Sequence, residues 1–434
     1  MAVKPHVRAK FQALGVYLPE IFDPGRFTPR LRDGAAYVVH SVYLSRHINY
    51  RVRHDLNGWT PLYTGVLDSV LGRKYRRPVL DSLIGGGVLE CDRKKLYGSA
   101  GSKSYHYRLT PSYQDAKFRR HLITHGEVAD RVLKYRAARH AEATKERIHA
   151  RLRADLDRVS VADDDPSDRE LALAAIADGH WHTKACPQGR YHTNLTNLDS
   201  TLRRFLRVDG RPVWCVDVAN SQPLLLALTL QGREVEGYRE YVQSVLGANG
   251  IGEDQPRPTD QTPPKPTPHT CARDSDSCLN DFLAVCLRGG CYEPVLELAN
   301  RLKTRGRPYT RQELKALLLA VFYGSPADSH TLAGRAFGRL WPGVYNAIWH
   351  AKTGAAPGDK PGAELARAMQ RRESHLIIWR AAARFYQEYP DVPLLTCHDS
   401  FMTTEEHIGK AEAVLKAEYQ DAYGVEPTTT VKLW

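Results

Sequence analysis

The sequence lacks any long apolar run, any closely paired cysteines and any internal repeat. No segment of about 18 consecutive apolar residues occurs, which argues against a transmembrane helix and a membrane partner. Residues 1–5, Met-Ala-Val-Lys-Pro, lack the apolar core of a signal peptide, so we expect a cytoplasmic protein. The chain has 434 residues, 42% hydrophobic and 25% charged, which is typical of a globular protein with two or three domains.

The eight cysteines form no C-x-x-C pair; they lie at positions 91, 186, 215, 271, 278, 286, 291 and 397. Several of them occur within apolar runs, such as residues 213–216. Free and largely buried thiols in a reducing compartment are therefore the favoured interpretation. A zinc site formed by His269, Cys271 and Cys278 is the alternative, although its spacing matches no common set of zinc ligands.

The positive charge is concentrated in the first third of the chain. The net charge is +12, while residues 1–160 carry 30 Lys and Arg against 15 Asp and Glu. The remaining residues therefore have a net charge of −3. This distribution indicates a polyanion-binding module joined to a nearly neutral body, although a solvated surface would show the same excess.

Residues 36–110 are predicted to form three helices followed by a β-hairpin. Helical spacing occurs over 35–48, 61–71 and 79–84, and the third helix stops at three glycines. Strands are expected over 88–91 and 104–109. The arrangement resembles a winged helix-turn-helix, in which the third helix enters a groove and the hairpin contacts phosphates. A protein-interaction or packing module is the alternative. The candidate nucleic-acid contacts are Arg73, Lys74, Arg76, Arg77, Lys94, Lys95 and Lys103.

Composition also predicts the domain boundaries. Residues 117–158 are strongly basic and are predicted to be helical. This stretch would be a connector, a helix lying on nucleic acid or a solvated face. An acidic stretch at 163–168 is the best candidate boundary. Residues 250–276 are rich in Pro, Thr, Asp and Gln and are expected to be a flexible insertion. We therefore expect domains at 1–112, 113–165 and 166–434.

Two acidic positions are candidate metal ligands. Asp217 ends an apolar strand and precedes a polar turn and an apolar helix, although many such residues merely cap the helix that follows. Asp399 follows His398 in the middle of a predicted β-hairpin, where an exposed turn is the plainer interpretation. Two carboxylates at opposed strand ends can hold two Mg²⁺ ions that bridge an attacking 3′ oxygen and a triphosphate.

A helix is predicted to begin after Thr310 and to end at Gly324. Arg311, Lys315 and Tyr323 are spaced by multiples of four, so they lie along one face of this helix. Two cations one turn apart can bind successive phosphates of one triphosphate. The aromatic side chain lies within reach of a base or a template.

The order of these motifs resembles motifs A, B and C of family A DNA polymerases and of single-subunit, phage-type RNA polymerases. Asp217 with Ser221 and Gln222 resembles motif A. The R-x3-K-x7-Y-G pattern of residues 311–324 matches motif B, and residues 397–401 (CHDSF) resemble motif C. Residues 189–193 (GRYHT) are similar to a run that precedes motif A in the DNA polymerases. The resemblance covers about residues 185–434.

The resemblance implies an α+β fold: a right-hand polymerase palm with helical fingers, preceded by the winged-helix domain. It implies two Mg²⁺ ions, or Mn²⁺, held by Asp217, Asp399 and the Val218 carbonyl. Triphosphate and base would contact Arg311, Lys315, Tyr323 and Gly324, with Lys315 as a proton donor to pyrophosphate. The primer and template would contact His398, Gln370, Ser221, Gln222 and Arg190.

Departures from the family pattern leave alternatives open. The acidic residue by which DNA polymerases exclude a ribose hydroxyl has no clear counterpart after Gln222, and no exonuclease segment is present, so we expect no proofreading. Ser400 and Phe401 favour an RNA polymerase or primase. Ser221 with Gln222 and residues 189–193 favour a DNA polymerase, which we prefer. A non-catalytic DNA-binding replication initiator with a degenerate palm is the second alternative. A replication role in a plasmid, phage or other mobile element is expected.

Overall fold

A computed structural model describes residues 14–48, 58–97, 104–123, 126–162, 170–232, 275–353 and 363–434. The chain divides into two compact units. Unit 1 comprises Met1–Ala185 and His192–Pro212, and unit 2 comprises Cys186–Tyr191 and Val213–Trp434. Both helices and strands build the fold, as the sequence predicts. The division falls near residue 212, whereas the composition places a boundary near 166. The acidic stretch 163–168 and most of the insertion, residues 250–274, lie outside the described residues.

Unit 1 contains ten strands or strand segments and seven α-helices among its described residues. In chain order they are β1 Leu14–Pro19, α1 Pro29–Ile48, β2 Thr60–Pro61, α2 Thr64–Leu71, α3 Arg73–Gly85, β3 Leu89–Tyr97, β4 Ser104–Leu109, α4 Pro111–Gln114, β5 Phe118–Ile123, α5 Gly126–Ala143, α6 Arg147–Leu156, β6 Val159–Val161, α7 Leu171–Ala177, β7 Thr183–Ala185, β8 Tyr191–Thr193, β9 Leu206–Val208 and β10 Arg211–Pro212. The first residue of β8, Tyr191, is assigned to unit 2.

The three helices and the hairpin of unit 1 form where the sequence predicts them. Strands β2, β4 and β3 lie side by side in that order, and Leu89 pairs with Leu109 in antiparallel register. Helix α3 is longer than expected. It begins directly after Gly72, whose φ of 83° is accessible to glycine at little cost, so the basic run at Arg73 forms its first turns instead of leading into it.

The expectation of one basic helical stretch over residues 117–158 is wrong. Residues Phe118–Ile123 form β5, which pairs antiparallel with β1, so that Leu14 lies opposite Ile123. The helices α5 and α6 follow as separate elements. The partner strand lies about 100 residues earlier in the chain. Strand formation here depends on that tertiary contact, which the local composition of residues 118–123 does not reveal.

Unit 2 contains four strands and nine α-helices among its described residues. They are β11 Trp214–Val218, α8 Ser221–Leu230, α9 Ser275–Leu287, α10 Tyr292–Leu302, α11 Arg311–Tyr323, α12 Leu332–Leu340, α13 Pro342–Thr353, α14 Ala363–Ser374, α15 Ala383–Glu388, β12 Leu395–Cys397, β13 Ser400–Thr403, α16 Glu405–Tyr423 and β14 Thr429–Leu433. Residues His375–Ala382 continue α14 as a π-helix that leads into α15.

A four-stranded antiparallel sheet organises unit 2, with the strand order β12-β13-β11-β14. The short hairpin β12–β13 therefore lies beside β11, and Asp217 pairs in register with Ser400. On the other side of β11, Asp217 pairs with Thr430 of the closing strand β14. The pairing brings residues about 180 positions apart in sequence to one edge of the sheet.

The helices of unit 2 pack around an aromatic cluster. Phe282, Phe322, Phe337 and Trp341 are all buried, and their ring centroids are 5.0–5.6 Å apart. Burial of each such side chain contributes about 1.5–3 kcal/mol. Phe322 belongs to α11, so this cluster fixes the helix that carries the predicted nucleotide contacts.

The described residues contain no helix that is long and apolar enough to cross a membrane. Their seven cysteines are all free, and five of them are buried, which agrees with the preferred interpretation of the thiols. The alternative zinc site includes His269 and Cys271, which lie outside the described residues.

Candidate active site

Two carboxylates meet at the edge of the sheet of unit 2. Asp217 is the fourth residue of β11, and Asp399 lies in the two-residue turn between β12 and β13. His398, the first residue of that turn, has a φ of 58°, so the chain reverses tightly and places Asp399 next to β11. The Ser400 hydroxyl donates to the Cys397 carbonyl at 2.7 Å and holds the turn.

The two carboxyl groups interact strongly with each other. Burial raises the pKa of Asp399 well above its usual range, and the negative charges of Asp217 and Glu373 raise it further. Burial also raises the pKa of Asp217, although a hydrogen bond with Asp399 and two lysines oppose that effect. Simultaneous ionisation of both carboxyl groups is therefore unfavourable in the folded protein. A bound cation would relieve the same repulsion.

Two lysines from different elements face the carboxylate pair. Lys315 of α11 lowers the pKa of both Asp217 and Asp399 through its charge. Lys432 of β14 is opposite Cys215 in register, two residues from Asp217, so its side chain is on the same face of the sheet. Its charge also lowers the pKa of Asp217. The site thus combines two carboxyl groups with two lysine cations, whose charge suits them to bind phosphate.

Helix α11 positions the cations Arg311 and Lys315. Thr310 and Glu313 form a reciprocal capping box, in which the Glu313 amide donates to the Thr310 hydroxyl and the Thr310 amide donates to the Glu313 carboxylate. This local signal confirms the predicted start of the helix, and the helix ends before Gly324 as expected. Both cations are exposed, so they are accessible to a ligand.

Tyr292, at the start of α10, lies beneath both cations of α11. Its ring centroid is 5.4 Å from the Arg311 guanidinium carbon and 5.9 Å from the Lys315 ammonium. Arg311 also donates to Glu293 at 2.7 Å, but both side chains are about half exposed. Such an exposed ion pair contributes little, so a phosphate can displace Glu293 from Arg311.

A chain of hydrogen bonds joins four side chains beside the carboxylates. The Tyr323 hydroxyl donates to the Gln222 carbonyl oxygen at 2.7 Å, and the Gln222 amide group donates to Glu373. Arg190 donates to the other oxygen of Glu373 from Nε at 3.0 Å and from Nη2 at 2.7 Å. Burial raises the pKa of Glu373, which is only 1% exposed, and its charge acts on Asp399.

The structure brings most of the predicted site residues of unit 2 into one region. Asp217, Asp399 and Lys315 interact through their charges, and Glu373 links this group to Arg190, Gln222 and, through Gln222, Tyr323. The remaining predicted residues occupy neighbouring positions: Val218 is the buried last residue of β11, Ser221 is buried at the start of α8, His398 is exposed in the turn, Gly324 ends α11, and Gln370 lies one turn before Glu373 on α14.

Sequence reasoning missed three residues of the site: Glu373, Lys432 and Tyr292. Glu373 occurs in the same run as the predicted Gln370, three residues later. The run itself was identified, but the side of α14 that meets the site depends on packing. Lys432 belongs to the closing strand β14. Only the register of its pairing with β11 shows that its side chain is on the same face of the sheet as Asp217. Tyr292 follows Cys291 and has no sequence signal of its own.

In the part of the chain that the structure describes, no three His, Cys, Asp or Glu side chains come together as a ready metal-binding group. Asp217 and Asp399 are thus a two-carboxylate set. Glu373 lies apart from this set in a hydrogen-bond network, in which one of its oxygens accepts from Arg190 and the other from Gln222.

The candidate nucleic-acid contacts of unit 1 differ in their surroundings. Arg73, Lys74 and Arg77 are exposed on α3. Arg76 instead pairs with Asp68 at 2.9 Å and holds α3 to α2. A structural role is therefore the better interpretation of Arg76. The backbone of Lys94 and Lys95 belongs to β3, but their side chains, and all of Lys103, lie outside the described residues.

Comparison with known proteins gives little guidance. No protein-family model matches the chain, and no curated protein matches it. Among solved structures, it is similar to the POL domain of Pol1 from M. smegmatis in complex with DNA primer-template and dNTP. The two chains are 12% identical, the match covers 94% of this chain and 69% of that chain, and the TM-score is 0.34. At so low a score, function has to be inferred from the residues and geometry of the site.

Proposed function

We propose that unit 2 catalyses template-directed nucleotidyl transfer, in which a nucleoside monophosphate is added to a 3′-hydroxyl and pyrophosphate is released. The observation that carries the proposal is the meeting of Asp217 and Asp399 at one sheet edge, with Lys315 facing both. Anionic metal ligands beside a phosphate-binding cation are what phosphoryl transfer requires.

The residues present fit a pair of Mg²⁺ ions. Mg²⁺ is usually held by one or two carboxylates, with waters and substrate phosphates in its other positions, so two carboxylates are sufficient. Asp217 and Asp399 repel each other when both are ionised, which favours a cation between them. The Val218 carbonyl is the proposed third protein ligand. When bound, Mg²⁺ or Mn²⁺ would stabilise charge on the attacking and leaving oxygens.

Arg311 and Lys315 are the proposed triphosphate ligands. They lie one turn apart on the exposed face of α11, and Tyr292 beneath them restricts where their side chains can go. Lys315 is the proposed proton donor to the leaving pyrophosphate, because it belongs to the proposed phosphate-binding face and its charge also acts on both carboxyl groups. Tyr323 is the proposed wall of the base pocket, and Gly324 allows close approach at its end.

The proposed primer and template contacts are Arg190, Ser221, Gln222, Gln370 and His398. Gln222 and Arg190 are anchored by Glu373, which supports a fixed rather than a mobile contact surface. The exposed His398 adjoins Asp399 and is suited to contact the primer end.

We further propose that residues 36–110 of unit 1 form a winged helix that binds nucleic acid. Three helices, the strand order β2-β4-β3 and the exposed Arg73, Lys74 and Arg77 on α3 support this assignment. In this view the protein is a DNA polymerase of family A type without proofreading, acting in replication of a plasmid, phage or other mobile element. An RNA polymerase or primase is the alternative that Ser400 and Phe401 favour.

Extension of a labelled primer on a template tests the proposal. The wild-type protein with Mg²⁺ is offered dNTPs and NTPs separately, beside Asp217→Asn, Asp399→Asn and the exposed control Asp391→Asn. We expect extension by wild type and control, with a loss in both site variants of about 100- to 1000-fold, as for a single electrostatic group. The preferred nucleotide decides between the DNA and RNA alternatives. No extension by a folded, DNA-binding wild type contradicts the proposal and favours a non-catalytic initiator.

A further inference from the structure

Glu373 is a buried carboxylate that connects three distant segments of unit 2. One of its oxygens accepts two hydrogen bonds from Arg190, and the other accepts from Gln222, which in turn accepts from Tyr323. Glu373 is 1% exposed, and the Arg190 side chain is 18% exposed. An ionised carboxylate can only accept hydrogen bonds, so Glu373 determines which groups of its neighbours face it.

The amide of Gln222 is oriented by this contact. Its amino group must face the Glu373 carboxylate, since its carbonyl oxygen would be repelled there. The carbonyl oxygen is then directed to the Tyr323 hydroxyl, which is 2.7 Å away. Without the carboxylate, the amide can rotate by half a turn, and the Tyr323 hydroxyl loses its fixed acceptor.

The surroundings of Glu373 are built for close contact. Gly189 precedes Arg190 with a φ of 82°, and a Cβ atom added there would lie 3.2 Å from the Ser374 Cβ and 3.3 Å from the Trp379 indole nitrogen. Immediately after Ser374, α14 becomes the π-helix His375–Ala382. Such π segments are frequent at functional sites. The missing side chain of Gly189 therefore lets the chain before Arg190 pass close to Ser374, the neighbour of Glu373.

Stability alone does not explain a charge at this position. Replacing a buried ion pair by apolar side chains of similar size is often neutral or stabilising. Glu373 also acts unfavourably on the carboxylate pair, since its charge raises the pKa of Asp399. A role in holding the neighbouring site residues accounts for both observations.

We propose that Glu373 is a positioning residue for nucleotide selection. It holds the Gln222 amide and, through it, the ring of Tyr323, so that the wall of the base pocket is rigid and accepts only a well-fitting base pair. The inference rests on the proposed polymerase function and adds to it a specificity-determining residue on α14.

The test compares correct with incorrect nucleotide incorporation. The ratio of kcat/KM for the complementary nucleotide to that for a non-complementary one is measured for wild type, Glu373→Gln, Tyr323→Phe and the double variant. The matched control is Glu388→Gln, which removes an exposed carboxylate of the same unit that pairs with Arg384. We expect each single site variant to lose at least about fivefold in this ratio, the size of one hydrogen bond's net contribution.

The double variant distinguishes coupled from independent action. If Glu373 acts through Gln222 on Tyr323, the double variant loses no more discrimination than either single variant. Additive losses, or wild-type discrimination in folded Glu373→Gln, overturn the inference. Should Glu373→Gln fail to fold, full discrimination by Tyr323→Phe overturns it equally. A wild type that extends no primer instead refutes the proposed function itself.

Discussion

Replacement of Asp399 by asparagine is expected to stabilise unit 2 at neutral pH while it removes a proposed metal ligand. The side chain keeps its size, but the negative charge beside Asp217 and Glu373 disappears. Burial and these two charges raise the pKa of Asp399 well above its usual range, so its ionised form is unfavourable in the folded protein. A function that needs two adjacent carboxylates thus reduces stability whenever no cation is bound.

The size of the effect follows from Coulomb repulsion. Two like charges about 5 Å apart repel by about 3 kcal/mol at an effective dielectric constant of about 20. Asp217 and Asp399 are only partly buried, so solvent screening reduces the expected gain to about 1–2 kcal/mol. In a domain of 150–250 residues, about 1 kcal/mol shifts Tm by about 2–4 °C. We therefore expect Tm to rise by about 2–8 °C.

The gain should depend on pH. Because the pKa of Asp399 is raised by folding, wild type loses stability as pH rises from about 4, the ordinary value for an unfolded aspartate, through the folded pKa. Asparagine does not titrate, so its advantage is present at pH 7 and disappears towards pH 4. Thermal unfolding in a chelator measures this, with the exposed Asp391→Asn as control. An unchanged or lower Tm at pH 7 for Asp399→Asn alone would refute the reasoning.

Three further outcomes are expected. Mg²⁺ at about 100 times its Kd should stabilise wild type by about 2.7 kcal/mol, but not Asp399→Asn, in thermal unfolding. Lys352, fully buried, donates to carbonyls at the end of α11, and burial lowers its pKa to about 8. Between about pH 8 and 10.5 the lysine is deprotonated in the folded protein but protonated in the unfolded chain, so the free energy of unfolding of wild type rises with pH. Lys352→Met should abolish that rise, as measured by denaturant titrations at several pH values. In unit 1, Arg73→Ala should weaken DNA binding and reduce its salt dependence, whereas Arg76→Ala should chiefly lower Tm, because it breaks the pair with Asp68.

The sequence was sufficient where local signals determine structure. The capping residue Thr310 and the spacing of Arg311 and Lys315 predict α11 to within a residue, because helix caps and side-chain periodicity are local properties. The strand that carries Asp217 and the hairpin whose turn carries Asp399 are likewise predicted from their apolar runs. The sequence analysis expects the two carboxylates at opposed strand ends, and strand pairing places Asp217 beside the residue that follows Asp399.

Contacts between distant segments could not be derived in this way. The pairing of β1 with β5 joins residues about 100 positions apart, and neither strand shows the pattern alone. Glu373 was overlooked in favour of Gln370, because only packing decides which side of α14 meets Arg190. Lys432 entered the site through strand pairing, which a single sequence does not reveal.

Single-nucleotide incorporation on four templates tests the central claim most directly. The templates differ only in the first unpaired base, and each is offered every nucleotide separately with Mg²⁺. If Asp217 and Asp399 form a template-directed site, the added nucleotide is the complement of that base in each case, and Asp399→Asn adds none. Addition of the same nucleotide on all four templates, or undiminished addition by Asp399→Asn, would contradict the account.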